Sequence, residues 1–398
     1  VNHLTFKLEN SLVLLKYVIV LTIVISISSC SESRRSESEE REDEIKAELE
    51  QAHKDSVELA ELIAKHDKYP LIEYEHIVIR DNKHLAEIRE QFKMDEKNPS
   101  INKAFLTLNR KERRFVKVGD TVVVPKEYFD NMCAYSIFPQ YYHGARDIPK
   151  LILVSNRWQC YAAYENGVQV RFAAANTGKE KTPTFPGRYA LVWKQEVRKS
   201  SLDSTWIMPF TWNFHRFSGS AFHKFDMPGY AASHSCVRQF LDDAEWLYKW
   251  GQRGKLDSNN IYIHLTGTPV LILDVFDFTR PKTGPWFALK SNKDFLIDVP
   301  ENPMEFEEAY IPIQQIPKTS RGILPDRKRY VVAEDTLRAR GHIREGVVLT
   351  ESIDFNELRR KKKAAKLKKE AGEAKEADSK SESDPEFKPI NQDSSSMR

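Results

Sequence analysis

The chain of 398 residues has little excess charge of either sign: 61 Lys and Arg against 58 Asp and Glu leave +3 at pH 7. That balance argues against the broad basic field with which proteins hold nucleic acid, and no nucleic-acid partner is expected. Long apolar runs are as scarce. Residues 17–27 form an apolar stretch shorter than the ~20 residues that span a bilayer. Lys7 and Lys16 precede it and charge follows closely, which is the layout of an export signal. Cysteines number only four: Cys30, Cys133, Cys160 and Cys236. No C-x-x-C or H-E-x-x-H spacing is present, so a zinc site built from His215, His223, His234 and Cys236 lacks a sequence framework. No metal or organic cofactor is implied. Cys133 and Cys160 can pair in an exported compartment, or stand as two separate buried thiols.

What is present centres on Ser233-His234-Ser235-Cys236-Val237-Arg238. Val237, Phe240, Leu241, Ala244, Leu247 and Tyr248 recur at steps of three and four, and Gly251 follows, which predicts a helix with one buried face. Cys236 is then expected at a helix N-terminus, where free N–H groups and the dipole stabilise a thiolate. His223 lies thirteen positions upstream. A low-pKa thiol with a histidine base in reach is the minimum apparatus for covalent acyl transfer. The plainer alternative is a small buried cysteine beside a satisfied histidine.

In chain order, residues 31–43 read as a solvated tether, and residues 44–67 as an amphipathic spacer helix. Residues 74–125 read as a small strand–helix–strand unit. From Lys150 strand signals dominate, with a hairpin turn at Glu165-Asn166-Gly167 and a last apolar strand at residues 270–273. Residues 281–325 are rich in proline and aromatics and are expected to wrap the domain. Residues 330–332 and 346–349 are candidate strands, and the charged tail from Arg359 is expected to be a solvated helix or a disordered segment.

Three resemblances sharpen this reading. Ile27-Ser28-Ser29-Cys30 resembles a bacterial lipobox, which implies lipidation at Cys30 and membrane attachment through that lipid. Ser31 after it implies, by the same resemblance, a periplasm-facing outer-membrane lipoprotein. Val118-Gly119-Asp120 with a strand ending Val124-Pro125, after Leu108-Asn109, resembles the end of a LysM module and implies glycan binding. Ile79-Arg80-Asp81-Asn82 departs from that module's opening turn. Across residues 150–275, the Glu165-Asn166-Gly167 hairpin, the Thr177-Gly178-Lys179 and Thr182-Pro183-Thr184 turn, Met208-Pro209-Phe210, the Ser-His-x-Cys-x-Arg motif and Gly267-Thr268-Pro269-Val270 occur in the order of an L,D-transpeptidase catalytic domain of the YkuD type.

The resemblance implies acyl transfer from peptidoglycan stem tetrapeptides to an amine or to water. Cys236 would be the nucleophile and His223 the base. The Lys224 carbonyl would orient the imidazole. Backbone N–H groups of Ser235 and Cys236 would form the oxyanion hole, with Ser233 and His234 supporting the loop. Arg238 would bind a substrate carboxylate, or else pair with Asp242. Ser235 stands where the family usually has glycine, and the stretch between His223 and Ser233 is shorter than usual. Ser235 also keeps open a catalytically inactive, peptidoglycan-binding reading. Papain-like and NlpC-like hydrolases place Cys before His, the reverse of the order here.

The expected fold is mainly β with helices: a β-sandwich catalytic domain and a small α+β LysM-like module. The expected bounds are 1–29 signal peptide, 30–73 lipidated tether and helix, 74–128 LysM-like module, 149–277 catalytic domain, 278–357 extension and 358–398 tail.

Overall fold

The computed structural model describes residues 32–96, 100–200, 206–280, 282–352 and 355–381. The export signal and Cys30 lie outside the described residues. The chain divides into two units, residues 1–65 and 66–398. The first contains helix α1 (Glu32–His66), so the stretch expected as a loose tether is helical from Glu32 onward. Its many Glu, Lys, Arg and Ala residues lose little rotamer freedom in a helix, which explains the extension. Among the described residues no helix is long and apolar enough to cross a membrane.

The second unit begins with a β-α-α-β module. Strand β1 (Tyr74–Val78) pairs antiparallel with β2 (Thr121–Pro125), and helices α2 (Asn82–Gln91) and α3 (Ser100–Asn109) lie between them in sequence. The Asp81 carboxylate caps α2 by accepting the His84 N–H at 2.8 Å. Ile79, Ile88, Phe92, Phe105 and Val122 close the module's core. Buried Asn109 braces it: its amide donates to the Phe105 and Val123 carbonyls, and its oxygen accepts the Val123 N–H, each at 2.8 Å.

The central sheet has strands β3 (Leu151–Ser155), β4 (Cys160–Glu165), β5 (Val168–Ala174), β6 (Gly187–Ala190) and β11 (Pro269–Ile272) in the order β5-β4-β3-β11-β6. Both faces are covered, so β3 reads as continuous apolar sequence rather than an alternation. Leu151 and Leu153 face a core shared with Tyr74, Val123 and Trp286. Ile152 and Val154 face one shared with Trp212, Phe222 and Val237. That two-residue period is the pleat of the strand. The second core joins the central sheet to a four-stranded sheet of β7 (Lys194–Lys199), β8 (Ile207–Asn213), β9 (Ala221–Lys224) and β10 (Val237–Gln239), ordered β10-β9-β8-β7. Helix α4 (Leu241–Trp250) follows β10 directly.

The expectation of a mainly β chain gives way to a mixed α/β one with several small sheets. Residues 330–332, expected as a strand, lie in helix α5 (Arg327–Ala339), where Tyr330, Ala333 and Leu337 make a buried stripe. Residues 346–349 are irregular. The charged tail forms helix α6 (Phe355–Ser381), whose lysines and glutamates pair four apart, as Lys366 does with Glu370. Cys133 and Cys160 are both buried and unpaired.

Candidate active site

The site is built on a parallel strand pair. In β9–β10, Phe222 lies beside Val237, His223 beside Arg238 and Lys224 beside Gln239. Phe222 and Val237 turn into the core, while His223, Cys236 and Arg238 line a cleft of about 390 Å³. Two strands that meet without a hairpin thus bring residues thirteen apart in sequence into one cavity. This corrects the expected setting of Cys236. Helix α4 starts only at Leu241, because residues 237–239 satisfy their backbone in the ladder with β9. A dipole confined to the first turn does not act on a thiol five residues earlier.

The electrostatics follow. Burial raises the Cys236 thiol above its ordinary value, against the Ala221 N–H and the charges of Arg238 and Arg198, which favour thiolate. Burial lowers His223 to about 4, although its bond to the Lys224 carbonyl acts the other way. The resting pair is therefore a neutral thiol and a neutral imidazole, rather than the preformed thiolate expected of a helix end. His223 Nδ1 donates to the Lys224 carbonyl at 3.0 Å, which fixes the tautomer and leaves Nε2 as the basic nitrogen.

The loop before Cys236 rests on residues 176–184. Ser233 N–H donates to the Thr177 carbonyl at 2.9 Å, and the Ser233 carbonyl accepts from Lys179 N–H and the Thr182 hydroxyl. The Ser233 hydroxyl donates to the Cys236 carbonyl at 2.5 Å. Thr184 Oγ1 accepts the Gly178 N–H at 2.9 Å and donates to the Ser235 carbonyl at 3.1 Å. A Cβ on Gly178 would sit 2.2 Å from the Thr182 carbonyl, so this turn closes only with glycine. His234 Nε2 accepts from the Lys179 ammonium at 3.0 Å, and burial lowers its pKa.

Ser235 adopts φ +75°, in the left-handed region that favours glycine. Its hydroxyl lies 2.9 Å from that of Ser220. The N–H groups of Ser235 and Cys236 make no hydrogen bond to any described residue.

Arg238 does not pair with Asp242, which is bound by Lys103 and Arg171. Its guanidinium donates to the Asp226 and Ala232 carbonyls at 3.2 and 3.5 Å and stacks over Phe225. Arg198 and Arg216 also line the cleft, with Trp206 and Met208, and among the described residues no carboxylate side chain does. Pro317, Thr319 and Ser320, from the segment after β11, complete its wall. None of these was legible as site material: arginine and tryptophan carry no spacing signature, and the wall comes from a distant segment. Thr177 and Thr184 stood in a recognisable phrase, but only the hydrogen bonds give them work. His215 lines a neighbouring cleft of about 490 Å³ that shares Arg216 and Phe217 with the first and holds no thiol. Among the described residues no three His, Cys, Asp or Glu side chains converge on a metal position.

Residues 149–272 match the family model of the YkuD L,D-transpeptidase catalytic domain. No curated protein matches the chain. Among solved structures, an L,D-transpeptidase from Stackebrandtia nassauensis aligns at 19% identity over 35% of this chain and 58% of that one, TM-score 0.26. L,D-transpeptidase 1 of Mycobacterium tuberculosis aligns at 19% identity over 31% and 62%, TM-score 0.24. The L,D-transpeptidase of Xylanimonas cellulosilytica aligns at 27% identity over 31% and 59%, TM-score 0.24. The chain spans about three fifths of the length of these structures.

Proposed function

We propose that this protein is a peptidoglycan L,D-transpeptidase in which Cys236 is the acyl-accepting nucleophile and His223 its base. The observation that carries the reading is the β9–β10 pair. His223 and Cys236 line one cleft, and His223 Nδ1 is engaged by the Lys224 carbonyl, which leaves Nε2 for the thiol proton. In the first step Nε2 takes the Cys236 proton as sulfur attacks the carbonyl carbon of the bond after the third stem residue. The unengaged N–H groups of Ser235 and Cys236 are suited to the oxyanion, an interaction worth about 3–4 kcal/mol per donor elsewhere. The C–N bond breaks, the departing amine takes the proton from His223, and a thioester remains. An acceptor amine, or water, then attacks the thioester and returns the proton through His223 to the thiol.

Because burial favours a neutral thiol and a neutral imidazole, the Cys236 proton is still in place when substrate arrives, and His223 is there to take it. Arg216 and Arg238, in a cleft that no carboxylate side chain lines among the described residues, favour an anionic peptide, as a stem peptide with its terminal carboxylate is. L,D-transpeptidases act on the cell wall, outside the cytoplasm. Lipid attachment at Cys30 and glycan contact by the β-α-α-β module are the extensions of the reading that the lipobox and LysM-like phrases support.

The test is turnover of a stem tetrapeptide together with intact mass after carbapenem treatment. Wild type is expected to cross-link or trim the peptide and to gain one covalent carbapenem at Cys236. Cys236→Ala should lose both, and His223→Ala nearly as much, since a nucleophile and its base act as one unit. A wild type that neither turns over tetrapeptide nor takes up carbapenem refutes the assignment and leaves an inactive, wall-binding domain.

A further inference from the structure

Ser235 holds a left-handed backbone that an L-residue with a Cβ reaches only against steric repulsion. Something must offset that repulsion, or the loop would relax. Its carbonyl is held by the Thr184 hydroxyl at 3.1 Å, and its own hydroxyl meets Ser220 Oγ at 2.9 Å. Ser220 is itself fixed. Its Oγ lies 2.9 Å from Ser218 Oγ, and Ser218 N–H donates to buried His215 Nδ1 at 3.0 Å. Ser220 is buried, with only 5% of its surface exposed. It immediately precedes β9, the strand that carries His223, while Ser235 immediately precedes Cys236. The hydroxyl pair therefore ties the two catalytic strands together just before their ladder begins.

We infer that Ser220 is a positioning residue: its hydroxyl clamps Ser235 in the left-handed conformation and so keeps the Ser235 and Cys236 N–H groups aimed into the cleft. Glycine would hold that conformation without help. The clamp does here what glycine's missing Cβ does in the usual motif. If Ser235 relaxed to negative φ, the peptide plane between it and Cys236 would rotate and carry a donor away from the developing oxyanion. The inference rests on the reading of Cys236 as acyl acceptor, but it does not depend on which peptide is the donor.

The experiment compares two reactions of the same thiol in wild type, Ser220→Ala, Ser235→Gly and the double variant. Acylation by p-nitrophenyl acetate forms a thioester and expels p-nitrophenolate through a tetrahedral oxyanion. Alkylation by iodoacetamide expels iodide and forms no oxyanion. Cys236→Ala supplies the background for both. Ser220→Ala is expected to slow acylation about 2- to 10-fold, the range for one net hydrogen bond of about 0.5–1.5 kcal/mol, with alkylation unchanged. Ser235→Gly sets its own baseline, and adding Ser220→Ala to it should change the rate by less than about 2-fold, because a glycine there needs no clamp and residues that act through one another are not additive. A Ser220→Ala loss of the same size in both backgrounds overturns the clamp. So does a parallel loss of acylation and alkylation, no loss at all, or a wild type that the ester leaves unacylated. Tetrapeptide turnover, measured alongside, reports on the proposed function separately: ester acylation with the expected coupling but no peptide turnover keeps the clamp and removes the substrate assignment.

Discussion

Arg110 and Arg238 are both cations with no carboxylate in ion-pair contact among the described residues, yet one is sealed and the other faces a cleft. Arg110 is 1% exposed, at the junction of the β-α-α-β module and the central sheet. Its guanidinium donates to the Thr107, Leu108 and Trp158 carbonyls at 2.9, 2.8 and 3.3 Å, and stacks against Phe172 and Trp286. Arg238 has a similar ring beneath it, but it makes only two carbonyl contacts among the described residues, at 3.2 and 3.5 Å, and the rest of the fork opens on the Cys236 cleft. Burial depresses the pKa of both. The difference lies in what the donors do. A cation whose donors are engaged by the fold is a structural joint. A cation whose donors are weakly engaged beside a nucleophile is ready for a ligand.

The sharpest way to break that comparison is Arg110→Met. It fills part of the socket but strands buried carbonyls, each costly to leave without a donor. An unfolding free energy lower by about 1–3 kcal/mol for each carbonyl left without a donor is expected, read from the urea midpoint. Loss of under 1 kcal/mol would mean that water or another donor serves those carbonyls. Arg238→Ala should behave in the opposite way. Its stability should change by about 1 kcal/mol or less, while KM for an anionic tetrapeptide rises roughly 10- to 100-fold, the range for a charged hydrogen bond of about 1.5–3 kcal/mol. An unchanged KM would make Arg238 a second structural joint.

The smallest effect concerns the imidazole. His223, held to about 4 by burial, should stay neutral through the range in which an exposed histidine protonates. The acid limb of kcat/KM then lies near pH 4: activity is present above it and is lost as pH falls through it. An NMR titration of the His223 Cε1–H resonance checks this directly, and a midpoint near the ordinary 6.5 would show that the cleft is wetter than its burial implies.

Much of the fold was legible in the chain, and the candidate site residues could be named from it, for identifiable reasons. The period-two apolar runs of β4 and β5 and the turn at Glu165-Asn166-Gly167 are local signals, and they form the expected hairpin. The pattern at Val237, Phe240 and Leu241 was local too, yet it misled. Helical spacing says nothing about whether a partner strand will claim the first residues, and β9 claims 237–239. Tyr330-Val331-Val332 failed in the same manner: a β-branched triplet lies in a helix whose Tyr330, Ala333 and Leu337 find an apolar surface. The tail's charge left a solvated helix and a disordered segment both open, and opposite charges four apart favour the helix described through Ser381.

By itself the sequence determined which chemistry is available: a thiol, a histidine, an arginine and a phrase order that resembles one catalytic domain. It also marked Ser235 as the residue out of pattern, because glycine's freedom at φ > 0 is a property of the residue alone. Only the tertiary structure decided what each group does. Burial set the thiol and the imidazole neutral, and the parallel ladder put them in one cleft. The Lys224 carbonyl chose the tautomer, and Ser220 arrived from another strand to meet the Ser235 hydroxyl. These are outcomes of desolvation and of contacts between residues distant in sequence, and no local pattern of side chains encodes either.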